Sequence, residues 1–481
     1  MLSKWLYCAI IEGSFMKISY DREREMKQQG RRDILKMMGA GSIALLTGVG
    51  TSASAKTTLS TFATRKRVDI VIAGGGTAGI TAAARLRRSA PNAKITLVAP
   101  NTTHLYQSGQ VYVAAGLYDE YDDKRQTGDL LPDNVEWLQD TVTAFFPHNN
   151  KILTENNGKI PYDYLIVALG CEYDYDSIEG LSISDIGKHG ITSVYLNDQV
   201  EGTSAGAVVS NMWFKSIRSA AERSHPKILF ADPHTPVKGE NASLDMLFLL
   251  NDILKGNGLG KKGSDLRGNA TLTMIKAEKT LFSSPAIDRA LKKILKKNKN
   301  TQTLYAQRLI SIDKEKKRAL FSGEKGKSEI SYDYIHITPP MRAPSALRNS
   351  ELSIKGGRHQ GWMEIDAQTL QHPTYSNVFG IGDVVGLDSG KSGAAIREQA
   401  ILLQDNIAAI IEGNKPPLTY TGYSAAPIKT RYGRIMLAEY TPDGLAPTFP
   451  LDPTVPRWIW WEMDLHLLRK TYFDLMMRGM M

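Results

Sequence analysis

Three glycines, one aspartate and one cysteine carry most of the chemistry legible in this 481-residue chain. Gly74, Gly76 and Gly79 fill a G-x-G-x-x-G template, and each has a task in holding a dinucleotide. The first makes a tight turn, the second lets the backbone approach a pyrophosphate, and the third allows close packing of helix on strand. The helix that opens at Thr77-Ala78 then offers unpaired N–H groups to the phosphates. Far downstream, Asp383 ends an apolar run, Val378-Phe379-Gly380-Ile381, followed by Gly382. An aspartate at such a strand end holds something polar. Cys8 and Cys171 are the only cysteines.

These residues need elements to position them. Residues 67–100 read strand, glycine turn, helix, strand: an apolar run from Val68 to Ala73, then Ala78, Ala82, Ala83 and Leu86 at helical spacing, then Ile95 to Val98. A strand in that last position usually ends in Asp or Glu, which binds a ribose; here Ala99 stands there, and Asn101 or Thr102 is the neutral substitute. Further strands are expected from Tyr164 to Leu169, within 226–254 ahead of a helix, and within 331–341, with a long helix over 391–411. The unit in 226–254 lacks a glycine fingerprint, which argues against NADH. The pattern is an interrupted α/β arrangement: a first nucleotide domain over 67–172 and 355–412, a second α/β domain over 173–354, and a C-terminal segment over 413–481.

Size and composition bound the function. The chain is too long for one core, and 42% hydrophobic with 23% charged residues describes a globular protein. The net charge of +9 is diffuse; the lysine run at 291–300 reads as a solvated helix face, and no nucleic-acid motif accompanies it. No metal-ligating cluster is expected. Near the N-terminus, Arg31-Arg32, a short apolar stretch and Ala53-Ser54-Ala55 form the three parts of a twin-arginine-type export signal over 1–55, predicting a periplasmic protein. Cleavage there leaves Cys171 alone, unable to form a dithiol redox pair. The tail, 455–481, holds three tryptophans within four residues, then leucines and methionines interleaved with cations. Such a segment either lies peripherally on a membrane or packs on the body or on a second copy of the chain.

With these motifs in order, the chain resembles the sulfide:quinone oxidoreductase family of flavoproteins. The likeness rests on the Gly74/Gly76/Gly79 turn, HLYQS (104–108), YDYLIVALG (162–170), TPVK (235–238), YIHITPPM (334–341), QHPTYSNVFGIGD (371–383) and the tail. It implies two dinucleotide-binding, Rossmann-like domains of the glutathione-reductase-like type and non-covalent FAD. Gly74, Gly76, Thr77, Ala78, Gly79, Gln107, Val142, Gly170, Gly382 and Asp383 would bind the cofactor, with Lys391 beside the flavin. Electrons would pass from a small reduced donor to quinone on the tail side.

One departure is plain. The family's two redox cysteines would follow TPVK and GD, and those positions hold Gly239 and Val384. Neither can act as nucleophile or sulfur carrier. Cys171 is the remaining candidate for a catalytic thiol, or else a small packed side chain. Sulfide oxidation is therefore expected to be inefficient or absent. The alternatives are a flavoprotein subunit of a sulfide dehydrogenase, or a non-catalytic flavin-binding or partner protein.

Overall fold

The apolar runs become the strands of two parallel sheets. The computed structural model describes residues 62–196, 206–259, 263–388 and 390–481. The expected export signal over 1–55, with Cys8, lies outside them. Ile70 to Ala73 are all buried, as befits a strand covered on both faces, and form β1 (Asp69–Ala73). The glycine turn leads into α1 (Thr77–Ser89) and β2 (Lys94–Val98), parallel to β1. β3 (Val135–Leu138) joins beyond β2, and β4 (Tyr164–Val167) joins on the other side of β1.

The chain then leaves this sheet and builds a second one. β5 (Ile191–Thr192), α2 (Gly206–Ala221), β6 (Lys227–Asp232), α3 (Ala242–Leu254), β7 (Thr271–Lys276), β8 (Thr301–Leu304) and β9 (Tyr334–Ile337) follow in turn. The second sheet has the order β5-β9-β6-β7-β8. β10 (Val378–Gly380) returns and pairs with β4, completing a first sheet of order β10-β4-β1-β2-β3. Each sheet carries a three-stranded antiparallel ribbon, over 142–161 in the first and 307–331 in the second. α4 (Gly393–Ile411) packs against α1, and the hairpin of β11 (Ser424–Arg431) and β12 (Arg434–Thr441) packs its first strand on α3. The lysine run behaves as its spacing predicts: Leu291 and Leu295 are buried, while Lys292 pairs with Asp288 at 2.8 Å.

The structure decides how the tail's aromatic residues are used. A helical run from Trp458 to Met476 contains two stretches with π-type winding, Asp464–Leu468 and Tyr472–Met476. Trp460 and Trp461 enter the main core, and Tyr472, Phe473, Met476 and Met477 join the cluster built by α1 and α4. These side chains pack on the body. Leu467, Leu468 and Leu475 stay half-exposed beside exposed His466, Lys470 and Arg478. Among the described residues, no helix is long and apolar enough to cross a membrane.

Candidate functional site

The glycine turn is crowded on two sides and open on the third. Gly74 has φ +117°, and a Cβ there would strike the Ala168 carbonyl just beyond β4. A Cβ on Gly79 would collide with the Gly74 carbonyl oxygen. At Gly76 a Cβ would meet nothing within 4 Å, and no side chain caps the first turn of α1 that follows. The unpaired N–H groups of that turn therefore face open space. Gly75 abuts Ala99, whose Cβ lies 2.5 Å from the Cβ position of Gly75.

The returning strand brings Asp383 to this mouth. Gly382 has φ +80°, and a Cβ on it would lie 2.8 Å from that of Ala78 in the first turn of α1. Its N–H donates to Gln399 Oε1 at 2.9 Å. The Asp383 carboxylate is half-exposed and has no hydrogen-bond partner among the described residues. Lys391 fixes the segment behind it: Nζ donates to the carbonyls of Asp383 at 2.5 Å and Val385 at 2.8 Å, over the Trp362 ring at 3.8 Å. Burial lowers the Lys391 pKa to about 8, with Asp383 pulling the other way.

Lys391 also touches the segment carrying Gly239, whose N–H donates to the Lys391 carbonyl at 3.3 Å. The Tyr195 hydroxyl donates to the carbonyls of Lys238 and Gly239 at 2.9 and 3.1 Å. Gly239 and the buried Val384 thus belong to two segments that meet at one lysine. Cys171 follows β4, half-buried, with Sγ 3.8 Å from Met341 Sδ. Burial pushes its thiol pKa up, against the pull of Lys238. Lys238 Nζ lies 4.8 Å over the Tyr173 ring. Its pKa is raised although burial opposes the charge, because Tyr173, Cys171 and Asp383 outweigh that cost.

The structure therefore gathers Gly74, Gly76, Thr77, Ala78, Gly79, Gly382, Asp383 and Lys391 about one mouth. Gly170 and Cys171 follow β4 nearby, and nothing lies within 4 Å of the Cβ position at Gly170. Gln107 is exposed on a short turn, and Val142 is paired with Thr154 in the antiparallel ribbon. The Thr77 side chain is engaged within the protein. Its hydroxyl sits 2.7 Å from the Tyr472 hydroxyl, which lies 2.6 Å from His104 Nε2, so Thr77 offers its backbone. Burial lowers the His104 pKa to about 4 and keeps the ring neutral. Sequence reasoning missed Lys238 as a charge on the site, although it stands in the TPVK motif, and missed Trp362 and Tyr195, which carry no local signal.

Comparison with known proteins gives this geometry a family. Residues 68–207 match the family model described as pyridine nucleotide-disulphide oxidoreductase. The mitochondrial sulfide:quinone oxidoreductase of Mus musculus is 31% identical over 420 residues, covering 86% of this chain and 87% of that relative. The chain belongs to the sulfide:quinone oxidoreductase family. It is an FAD-dependent oxidoreductase. The sulfide:quinone oxidoreductase of Aquifex aeolicus shares its fold with a TM-score of 0.65 at 20% identity, over 84% of this chain and 90% of that one. A chain of the Tetrahymena thermophila mitochondrial ATP synthase has a TM-score of 0.73 at 18% identity, over 86% and 96%.

The residues present fit FAD: the open face of Gly76 and the N-terminus of α1 suit its pyrophosphate, and the Asp383 carboxylate, without a hydrogen-bond partner among the described residues, suits its hydroxyls. At the adenosine ribose the fit is poorer. Ala99 brings no side-chain acceptor, its carbonyl takes the Trp137 indole N–H at 3.0 Å, and Asn101 is exposed.

Proposed function

We propose that this enzyme takes two electrons from a small anionic donor and passes them through FAD to quinone, without a cysteine relay. The observation that carries the reading is the meeting of the Gly239 and Val384 segments at Lys391, with Lys238, Asp383 and Cys171 around them. FAD supplies a two-electron acceptor and donor in this family's chemistry. The chain's own residues do the rest. The first turn of α1 binds the pyrophosphate, Asp383 accepts cofactor hydroxyls, and Lys391 holds the Asp383 segment rigid. Lys238 and Lys391 supply positive potential that draws an anion such as hydrosulfide. Cys171 stays protonated because burial raises its pKa, which suits packing better than nucleophilic attack.

Anaerobic titration of the purified yellow protein with sulfide, with cyanide as sulfur acceptor, followed by addition of a soluble quinone, tests this reading. Bleaching by sulfide followed by recovery of the colour on adding quinone is the expected result. A colourless protein would reduce the molecule to a partner protein, a reading that draws on Ala99, Gly239 and Val384. A yellow protein that sulfide leaves unbleached would remove sulfide as donor.

The setting belongs to the same proposal: export by the signal over 1–55, then peripheral attachment to the membrane through the half-exposed leucines and the cations of the tail. Sedimentation with anionic lipid vesicles checks the attachment, and Lys470→Glu with Arg478→Glu is expected to weaken it. Protein that stays in the supernatant at low salt would refute it. A fusion of 1–60 to a reporter enzyme checks the export.

A further inference from the structure

A buried ionic cluster ties the tail to the body. Asp245 on α3, Lys429 on β11 and Asp464 in the tail are 0%, 2% and 2% exposed. Lys429 Nζ lies 3.5 Å from Asp245 and 3.2 Å from Asp464. The Lys429 backbone N–H donates to Asp245 Oδ1 at 2.7 Å, and Asn241 Nδ2 donates to Asp245 Oδ2 at 2.7 Å. The Tyr112 hydroxyl donates to Asp464 Oδ2 at 2.6 Å, and the Lys429 ammonium lies 4.9 Å over the Tyr112 ring.

Two carboxylates thus face one ammonium. Full ionisation would seal one uncompensated negative charge away from water, which is costly. Keeping one proton on the carboxylate pair removes that cost. Burial pushes Asp245 up to about 7, with Lys429 opposing and Asp464 adding to the rise. The other titratable groups near the cluster are Tyr106, Tyr118 and Tyr195, with Asp123 and Arg469 farther out beside Tyr118. As an anchor for the tail, apolar side chains would serve at lower cost. The cluster also has two ends. Asn241 stands two residues beyond Gly239 on the donor side, and the Tyr112 ring lies 5.0 Å from that of the half-exposed Tyr118.

We propose that Asp245, Lys429 and Asp464, with Tyr112, form a proton store that supplies the reduction of quinone. The proposal rests on the quinone reading above. Quinone becomes quinol by taking two electrons, which the enzyme's activity supplies, and two protons. A proton given up by the carboxylate pair is replaced from solvent through the Tyr112 hydroxyl, which donates to Asp464; two such cycles supply the two protons of the quinol and return the cluster to its starting state.

The test uses photoreduced holoenzyme, which removes the donor from the experiment. It is mixed anaerobically with a short-chain quinone or with ferricyanide, which takes electrons and no protons. Asp245→Asn, and Tyr112→Phe with its ring packing retained, are expected to lower the ratio of quinone to ferricyanide rates by about tenfold or more. They are also expected to move the pH profile of the quinone rate. In the infrared, Asp245→Asn should delete or shift a carboxylic-acid C=O band of the oxidised wild type. Equal loss with both acceptors, or an unchanged ratio and profile, would show a purely structural cluster and overturn the proposal. So would the absence of that band at neutral pH. A wild type that reduces ferricyanide and no quinone would overturn the quinone reading and this proposal together. Normal quinone reduction with unchanged variants would overturn the proposal alone.

Discussion

At the scale of single residues, the glycine turn makes the sharpest forecast because its glycines fail differently. Gly79→Ala puts a methyl group into the Gly74 carbonyl, so loss of thermal stability is expected even without cofactor. Gly76→Ala meets nothing among the described residues; the melting temperature of its apoprotein should hold while its FAD content falls, which absorbance of the purified protein measures. Lys391→Met removes two charge-assisted hydrogen bonds, worth of order 1–3 kcal/mol each, and should loosen FAD binding and lower the melting temperature. The pH dependence has a definite sign. The folded pKa of Lys391 is depressed from 10.5 to about 8, so the unfolded chain binds more protons between those values. Stability contributed at this site therefore rises from about pH 8 to 10.5, and Lys391→Met should flatten that rise in a melting series. Cys171→Ser is expected to leave turnover unchanged, and a lost burst of reduction would return the thiol to the mechanism. The glycines and Asp383 were legible in the sequence because their motifs are local. The partners of Lys391 were not: two are backbone carbonyls and one is Trp362, on a segment without any pattern.

Among elements, the parallel strands were readable as short apolar runs ending in turn residues, since burial on both faces leaves no alternation to confuse. The tail was not, because tryptophans, leucines and methionines at helical spacing suit a lipid surface and a protein surface equally. Tertiary packing settles it for Trp460, Trp461, Tyr472, Phe473, Met476 and Met477. Removing residues 472–481 should cost several kcal/mol, at about 1.5–3 kcal/mol for each large buried side chain, and expose α1; denaturant titration reads the loss. Tyr472→Phe keeps the ring and removes the hydroxyl shared with Thr77 and His104. It should cost about 1 kcal/mol, and a larger effect on FAD content than on stability would place the hydroxyl nearer the cofactor than its hydrogen bonds imply. The ionic cluster was the least legible feature. Asp245, Lys429 and Asp464 come from three distant segments, and each looks like an ordinary surface charge in its own stretch.

For the whole molecule, a buried acid adds a second response to pH. Asp123 is fully buried with one carboxylate oxygen unpartnered among the described residues, and burial lifts its pKa from 3.8 to about 7. The native state then binds more protons than the unfolded chain between those values, so stability falls as pH rises from about 4 to 7. Asp123→Asn should flatten that decline in melting temperature, and an unaltered slope would place the effect elsewhere. The two-sheet organisation was visible in the sequence because a nucleotide unit stands over 67–100 and a strand leading to Asp383 comes near the end. The first sheet draws β4 and β10 from opposite sides of the second, and Gly382 seats Asp383 against α1 from that late strand. At about 5–20 residues per second, the ribosome releases the glycine turn many seconds before the strand that completes the cofactor mouth. FAD therefore has no finished site until β10 has emerged. Loading comes late in synthesis, and a competence check on the folded chain would read the closure of β10 on β4.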